Sequence, residues 1–232
     1  MCNRHNVLLI LDEIQTGLGR TGKMFACDHE QVVPDIMCLA KSLSGGVIPI
    51  GAIITSHKIW QDAYGSIDKA ALHTSTFGGN TFACAAAIAT IEVILQNNLL
   101  HQSEKKGNYF LEKLKELQSR YALIKDIRGI GLFIGIEFNE PKGFLNNLSG
   151  GLLKKMSHEY FGTLVAAKLF NDHHIITAYT LNNPNVIRVE PSLFISYEEI
   201  DHFIDSFDNI LKSNAGFLSI AMSTGKRILK DK

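Results

Sequence analysis

Two residues stand where a chain could do chemistry, Asp12 and Lys41, separated by 41 − 12 = 29 positions. Asp12 ends the apolar run Val7 to Leu11. A short continuous run of this kind reads as a buried parallel strand, with function gathered at its carboxyl end. A carboxylate at such a place is costly unless cations or donors meet it. Lys41 follows a second apolar segment, Asp35 to Ala40, and precedes the turn Ser42 to Gly46. Partial desolvation beside small residues favours the free, nucleophilic amine over the ammonium. Taken singly, each has a plainer reading: Asp12 as a helix cap or solvated turn acid, Lys41 as a surface lysine.

The surrounding residues change those odds. Asp12-Glu13-Ile14-Gln15-Thr16-Gly17-Leu18-Gly19-Arg20-Thr21-Gly22 is followed by Pro34-Asp35 and, at the end of the second segment, by Lys41-Ser42-Leu43-Ser44-Gly45-Gly46 and Pro49-Ile50-Gly51. Next come His73-Thr74-Ser75-Thr76-Phe77-Gly78-Gly79-Asn80 and Asn182-Asn183-Pro184-Asn185-Val186-Ile187-Arg188-Val189-Glu190-Pro191. In this order the blocks resemble the class III pyridoxal-phosphate-dependent aminotransferases, from about Val7 to about Leu211. Residues 73–80 and 179–191 look most like the putrescine aminotransferase branch, with ornithine and acetylornithine aminotransferases close to it.

The resemblance implies a fold-type-I α/β architecture: an incomplete large domain with a parallel-rich sheet, residues 1–98, and a small α+β C-terminal domain, residues 99–232. It implies pyridoxal 5'-phosphate as cofactor and the transfer of an amino group between a primary amine or amino acid and a 2-oxo acid. Lys41 would hold the cofactor as a Schiff base and then shuttle a proton as general base and acid. Asp12 would pair with the ring nitrogen, and Gln15 would contact the ring hydroxyl side. Thr76 would reach the phosphate of a second subunit in a homodimer. Arg188 would bind a substrate carboxylate through its planar fork. The same residues would suit a class III racemase or aminomutase, or would persist in a non-catalytic remnant or in the partner subunit of a split enzyme. Leu18, Thr81 and Ser192 depart from the family's usual residues. Only eleven residues precede Asp12, whereas family members carry an upstream half with a phosphate-binding turn and a ring-stacking aromatic. The expectation is a C-terminal half that pairs with residues supplying the rest, and an open sheet edge that promotes self-association.

Two nucleotide-binding patterns overlap the first block. Gly17 to Gly22 matches G-x-G-x-x-G, but a dinucleotide fingerprint needs its glycines directly after the strand, and Asp12 to Thr16 intervene. Its acid belongs after the next strand, and Asp35 precedes that strand. Gly17 to Lys23 fits G-x-x-x-x-G-K, but Met24 stands where a magnesium-binding hydroxyl is required.

The elements that must position these residues follow from periodicity. Pro49 to Thr55 reads as a third strand. Thr81 to Leu95 reads as a closely packed helix, with Ala83, Ala86, Ala87, Thr90, Ile91 and Ile94 at helical spacing. Helices are also expected over Ser103 to Arg120, Tyr160 to Asn171 and Glu198 to Lys212. Strands are expected over Gly131 to Phe138, Ile175 to Thr180 and Val186 to Val189, and a loop over Gly143 to Gly151. Three strands are few for a doubly wound sheet.

Composition narrows the setting. Lys plus Arg and Asp plus Glu are 23 each, so the formal charge is zero. No basic excess invites nucleic acid or an anionic membrane. No run approaches 18 apolar residues, so no membrane span is expected. The four cysteines form no C-x-x-C pair, which argues against zinc-ribbon and thioredoxin motifs and for a reducing compartment. No metal is expected, and the expected location is cytoplasmic.

Overall fold

The structure is a computed structural model that describes residues 1–69, 72–139, 152–180 and 182–213, with backbone alone for 152–160 and 213. The chain forms two compact units, Met1–Glu104 and Lys105–Lys232. The expected loop Gly143 to Gly151 lies outside the described residues.

The first unit holds a three-stranded sheet of β1 (Ile10–Asp12), β2 (Ile36–Leu39) and β3 (Ala52–Thr55), in that spatial order. β1 and β2 are parallel, with Ile10 beside Ile36 and Asp12 beside Cys38. β3 is antiparallel to β2. The parallel-rich sheet expected from the resemblance is therefore a mixed one here, with a single parallel pair. The run Val7 to Leu11 joins the ladder only from Ile10. Ahead of it, Leu9 N–H donates to the Asp35 carboxylate at 2.7 Å. Val7, Leu8 and Ile10 are each more than half exposed, so the expectation of a buried strand fails: β1 is the edge of a small sheet.

Helix α1 (His57–Tyr64) was not foreseen; Ser56 caps it by accepting Ile59 N–H at 3.3 Å. Helix α2 (Thr81–Gln96) matches its expected span within one residue and is capped by Asn80, whose Oδ1 accepts Ala83 N–H at 3.1 Å. It packs against the short helical turn Lys41–Ser44, and its buried residues are Ala83, Ala87 and Ile94. Small residues allow that approach, and Gly45 completes it. A Cβ on Gly45 would lie 3.1 Å from Thr90 Oγ1, and its backbone has φ +65°.

The division between units falls inside α3 (Leu99–Arg120). The second unit contains an antiparallel sheet of β4 (Ile124–Ile130), β5 (Phe133–Phe138), β6 (Ala178–Tyr179) and β7 (Val186–Val189), ordered β4-β5-β7-β6. Among its described residues are also helices α4 (Leu152–His173) and α5 (Tyr197–Ser213). Strand β4 escaped the sequence reading because a bulge between Ile124 and Asp126 breaks its alternation. Helix α4 begins eight residues before the expected Tyr160. One face of the sheet meets Phe110, Leu114 and Leu117 of α3, Phe161 and Val165 of α4, and Phe203 and Phe207 of α5 in a single core. Phe138 and Phe161 stack edge to face at 5.1 Å, as do Phe110 and Phe203 at 5.2 Å. Each such fully buried side chain contributes about 1.5–3 kcal/mol. Among the described residues, no single helix is long and apolar enough to cross a membrane.

Candidate active site

Parallel pairing puts the carboxyl ends of β1 and β2 side by side, which is where Asp12 and Lys41 sit. Asp12 Oδ1 accepts the backbone N–H of Ile14 at 2.9 Å, which fixes its carboxylate at the start of the following turn. Both residues are exposed. That corrects the expectation of a buried carboxylate and a partly desolvated lysine, and the reason is again the small, open sheet.

Lys41 Nζ donates to Gln15 Oε1. Two residues 26 positions apart, both named by the resemblance, are thus in contact. Lys41 itself has φ +47°, a left-handed conformation that L residues other than glycine rarely adopt and that tends to cluster at functional sites. The turn it opens is closed by Gly45 N–H donating to Ser42 O at 2.9 Å.

Thr76 lies in the exposed turn before α2. Gly78 N–H donates to Ser75 O and Asn80 N–H to Phe77 O, each at 3.1 Å, so the turn leads Thr76 into the helix N-terminus, where backbone N–H groups favour an anion. Arg188 belongs to β7 of the second unit. Its Nη1 lies 3.4 Å from Glu190 Oε1, and its side chain is 34% exposed. Its neighbours on the flanking strands are Gly135 and Ala178, which are too small to cover it.

Glu13, next to Asp12, is a densely hydrogen-bonded residue that spacing does not single out. It is 4% exposed. Its Oε1 accepts Cys27 N–H at 2.8 Å, and its Oε2 accepts Ala26 N–H at 3.0 Å and the Thr16 hydroxyl. Its own N–H donates to Cys38 O of β2, and its carbonyl accepts Gly17 N–H, both at 3.0 Å. A Cβ on Gly17 would approach Glu13 O to 2.8 Å, so glycine is required for that closure. Burial and the Glu13 charge push the Cys27 thiol above its ordinary range. The available signal was a second carboxylate at the strand end with a hydroxyl three residues on.

The sequence model of the class III aminotransferases (Aminotransferase class-III) matches residues 1–211. The chain belongs to this family. Its members depend on pyridoxal phosphate, and the architecture is that of the fold-type-I aminotransferases. Among solved structures, the acetylornithine aminotransferase of Elizabethkingia anophelis is similar at 32% identity and TM-score 0.77, over 92% of this chain and 50% of that one. An ornithine aminotransferase of Toxoplasma gondii is similar at 34% identity and TM-score 0.74, over 90% of this chain and 44% of that one, and that protein holds the cofactor at partial occupancy in its active site. The ornithine aminotransferase of Plasmodium yoelii gives 32% identity and TM-score 0.74, over 91% and 50%. The chain thus spans about half the length of these relatives.

Lys41 Nζ meets Gln15 Oε1, and Asp12 ends the neighbouring parallel strand; an amine, an amide and a carboxylate are the group types that the ring end of pyridoxal phosphate requires, so the residues present fit that part of the group.

Proposed function

We propose that this chain carries the lysine-bearing half of a transaminase site, for transfer of an amino group between a primary amine or amino acid and a 2-oxo acid. The contact between Lys41 and Gln15 beside Asp12, in a chain of this family, is the observation that carries the reading. Pyridoxal phosphate, when bound, supplies an electron sink for the reacting carbon. The remaining work falls to the chain's own groups. Lys41 would hold the cofactor through Nζ, and its amine would take and return a proton at the donor carbon as general base and acid. Gln15 restrains that amine. Asp12 would face the ring nitrogen, where its negative charge would favour a proton. The Thr76 hydroxyl donates to a phosphate, across the interface of a homodimer. Arg188 offers the planar, bidentate recognition that a 2-oxo acid carboxylate needs.

The remaining residues of the site come from the half that the relatives have and this chain does not span, supplied in one longer polypeptide or by a second chain. Cys2, Cys27, Cys38 and Cys84 are all free thiols, which supports a reducing, cytoplasmic setting. The test joins the chain to an upstream half taken from an ornithine or acetylornithine aminotransferase and follows amino transfer from a primary amine to a 2-oxo acid. Transfer that disappears in Lys41→Ala is expected. Racemisation or an intramolecular amino shift without transfer would replace the reading with another class III reaction.

A further inference from the structure

We propose that Glu13 is a positioning residue that sets where Gln15 meets Lys41. The turn from Glu13 to Gly17 contains Gln15 and is closed at both ends by Glu13. The main-chain closure runs through its carbonyl to Gly17 N–H at 3.0 Å. The side-chain closure runs through its carboxylate to the Thr16 hydroxyl. The same carboxylate is pinned from outside the turn by Ala26 N–H at 3.0 Å and Cys27 N–H at 2.8 Å. Gln15 is therefore held between two residues, Glu13 and Thr16, that cannot move independently of the segment Ala26–Cys27. Gln15 Oε1 in turn receives Lys41 Nζ. A buried carboxylate with three donors has no freedom to shift, so the rigidity passes along the turn to the amide that restrains the amine. The β1 ladder alone would not supply it, because the strand ends at Asp12.

This inference rests on Lys41 being the functional amine of the reading above, and its test reads that amine without any cofactor. The full chain is labelled with limiting acetic anhydride, and the rate at Lys41 is mapped by mass spectrometry against the other lysines. Wild type, Glu13→Ala, Glu13→Gln, Gln15→Ala and the double variants are compared. Releasing the amine from Gln15 raises its rate, so Glu13→Ala and Gln15→Ala are each expected to raise it roughly three- to ten-fold, the range one such hydrogen bond supports. The Glu13→Ala/Gln15→Ala double is expected to rise no further than either single change, since both act on one contact. Exchange at the Gly17 amide is expected to speed up in Glu13→Ala and not in Gln15→Ala. A lowered melting temperature in Glu13→Ala with the wild-type Lys41 rate would overturn the proposal, as would effects that multiply in the double. Where Glu13→Ala does not fold, Glu13→Gln retains one acceptor oxygen and is expected to give an intermediate rise; a wild-type rate there also overturns it. If the acylation cycle holds while pyridoxal phosphate leaves no reducible adduct on any form, the positioning role stands and the cofactor reading fails.

Discussion

The two units differ in how far they bury their apolar residues. In the second, Phe110, Leu114, Leu117, Ile136, Ile187 and Phe207 are completely buried in one core. In the first, which carries Asp12, Gln15, Lys41 and Thr76, the large apolar side chains Phe77 (79% exposed), Phe82 (78%) and Ile53 (59%) face outward. Helix α2 is apolar on most of its surface, a pattern proper to a helix covered on all sides, yet Phe82, Ile88 and Leu95 are exposed. The difference teaches that the second unit satisfies its own sequence pattern, whereas the first is patterned for more cover than its described residues provide.

The largest expected effect breaks that comparison if it fails. Phe207→Ala should cost about 3–5 kcal/mol in urea unfolding, through transfer and cavity terms. Phe82→Ala should stay within about 0.5 kcal/mol, as an exposed position does. Joining an upstream half should raise the cost of Phe82→Ala while leaving that of Phe207→Ala unchanged. Equal costs in the isolated chain would mean the units are equally closed.

The next effect is the pH dependence of the second unit. Burial pushes the Asp208 carboxyl up, but Lys212, the Tyr121 hydroxyl and Arg120 together outweigh it and hold it below its ordinary value. Hydrogen bonds from Lys125 and Arg128 do the same for Glu137. Carboxyls depressed in the folded state stabilise above their unfolded values, near pH 4, and that contribution disappears as pH falls through the lower folded values. The second unit should therefore lose stability on acidification from about pH 4 downward. Asp208→Asn should cost about 1–2 kcal/mol at neutral pH and flatten that acid limb. In the same unit the phenol of Tyr109 is raised to about 12 by its hydrogen bond to Asp201, so Tyr109 should remain un-ionised in an ultraviolet titration up to about that pH.

The smallest effect concerns Lys41 itself. Its φ of +47° suits glycine, so Lys41→Gly should be more stable than Lys41→Ala by about 1 kcal/mol. A reversed order would mean that the left-handed backbone carries no strain.

Much of this was legible from sequence. Helix α2 and strand β7 were readable because their apolar spacing is unbroken. Strand β4 was not, because a bulge shifts its register. The exposure of β1 was hidden because a continuous apolar run reports that a strand could be buried, not that a second layer covers it. Asp12, Gln15 and Lys41 were singled out by their motif, and the contact between Gln15 and Lys41 follows from parallel pairing of the two strands that precede them. Glu13 was missed because its partners, Ala26 and Cys27, offer only backbone N–H groups, which leave no trace in residue type.

In the proposed reading, Lys41 is the amine that takes up the cofactor. The direct measurement is to incubate the full chain, alone and together with an upstream half, with pyridoxal phosphate, reduce with borohydride and map the modified peptide. A single adduct at Lys41 is expected, lost in Lys41→Ala while the melting curve is retained. An adduct spread over several lysines, or none at Lys41 even with the upstream half present, would contradict it.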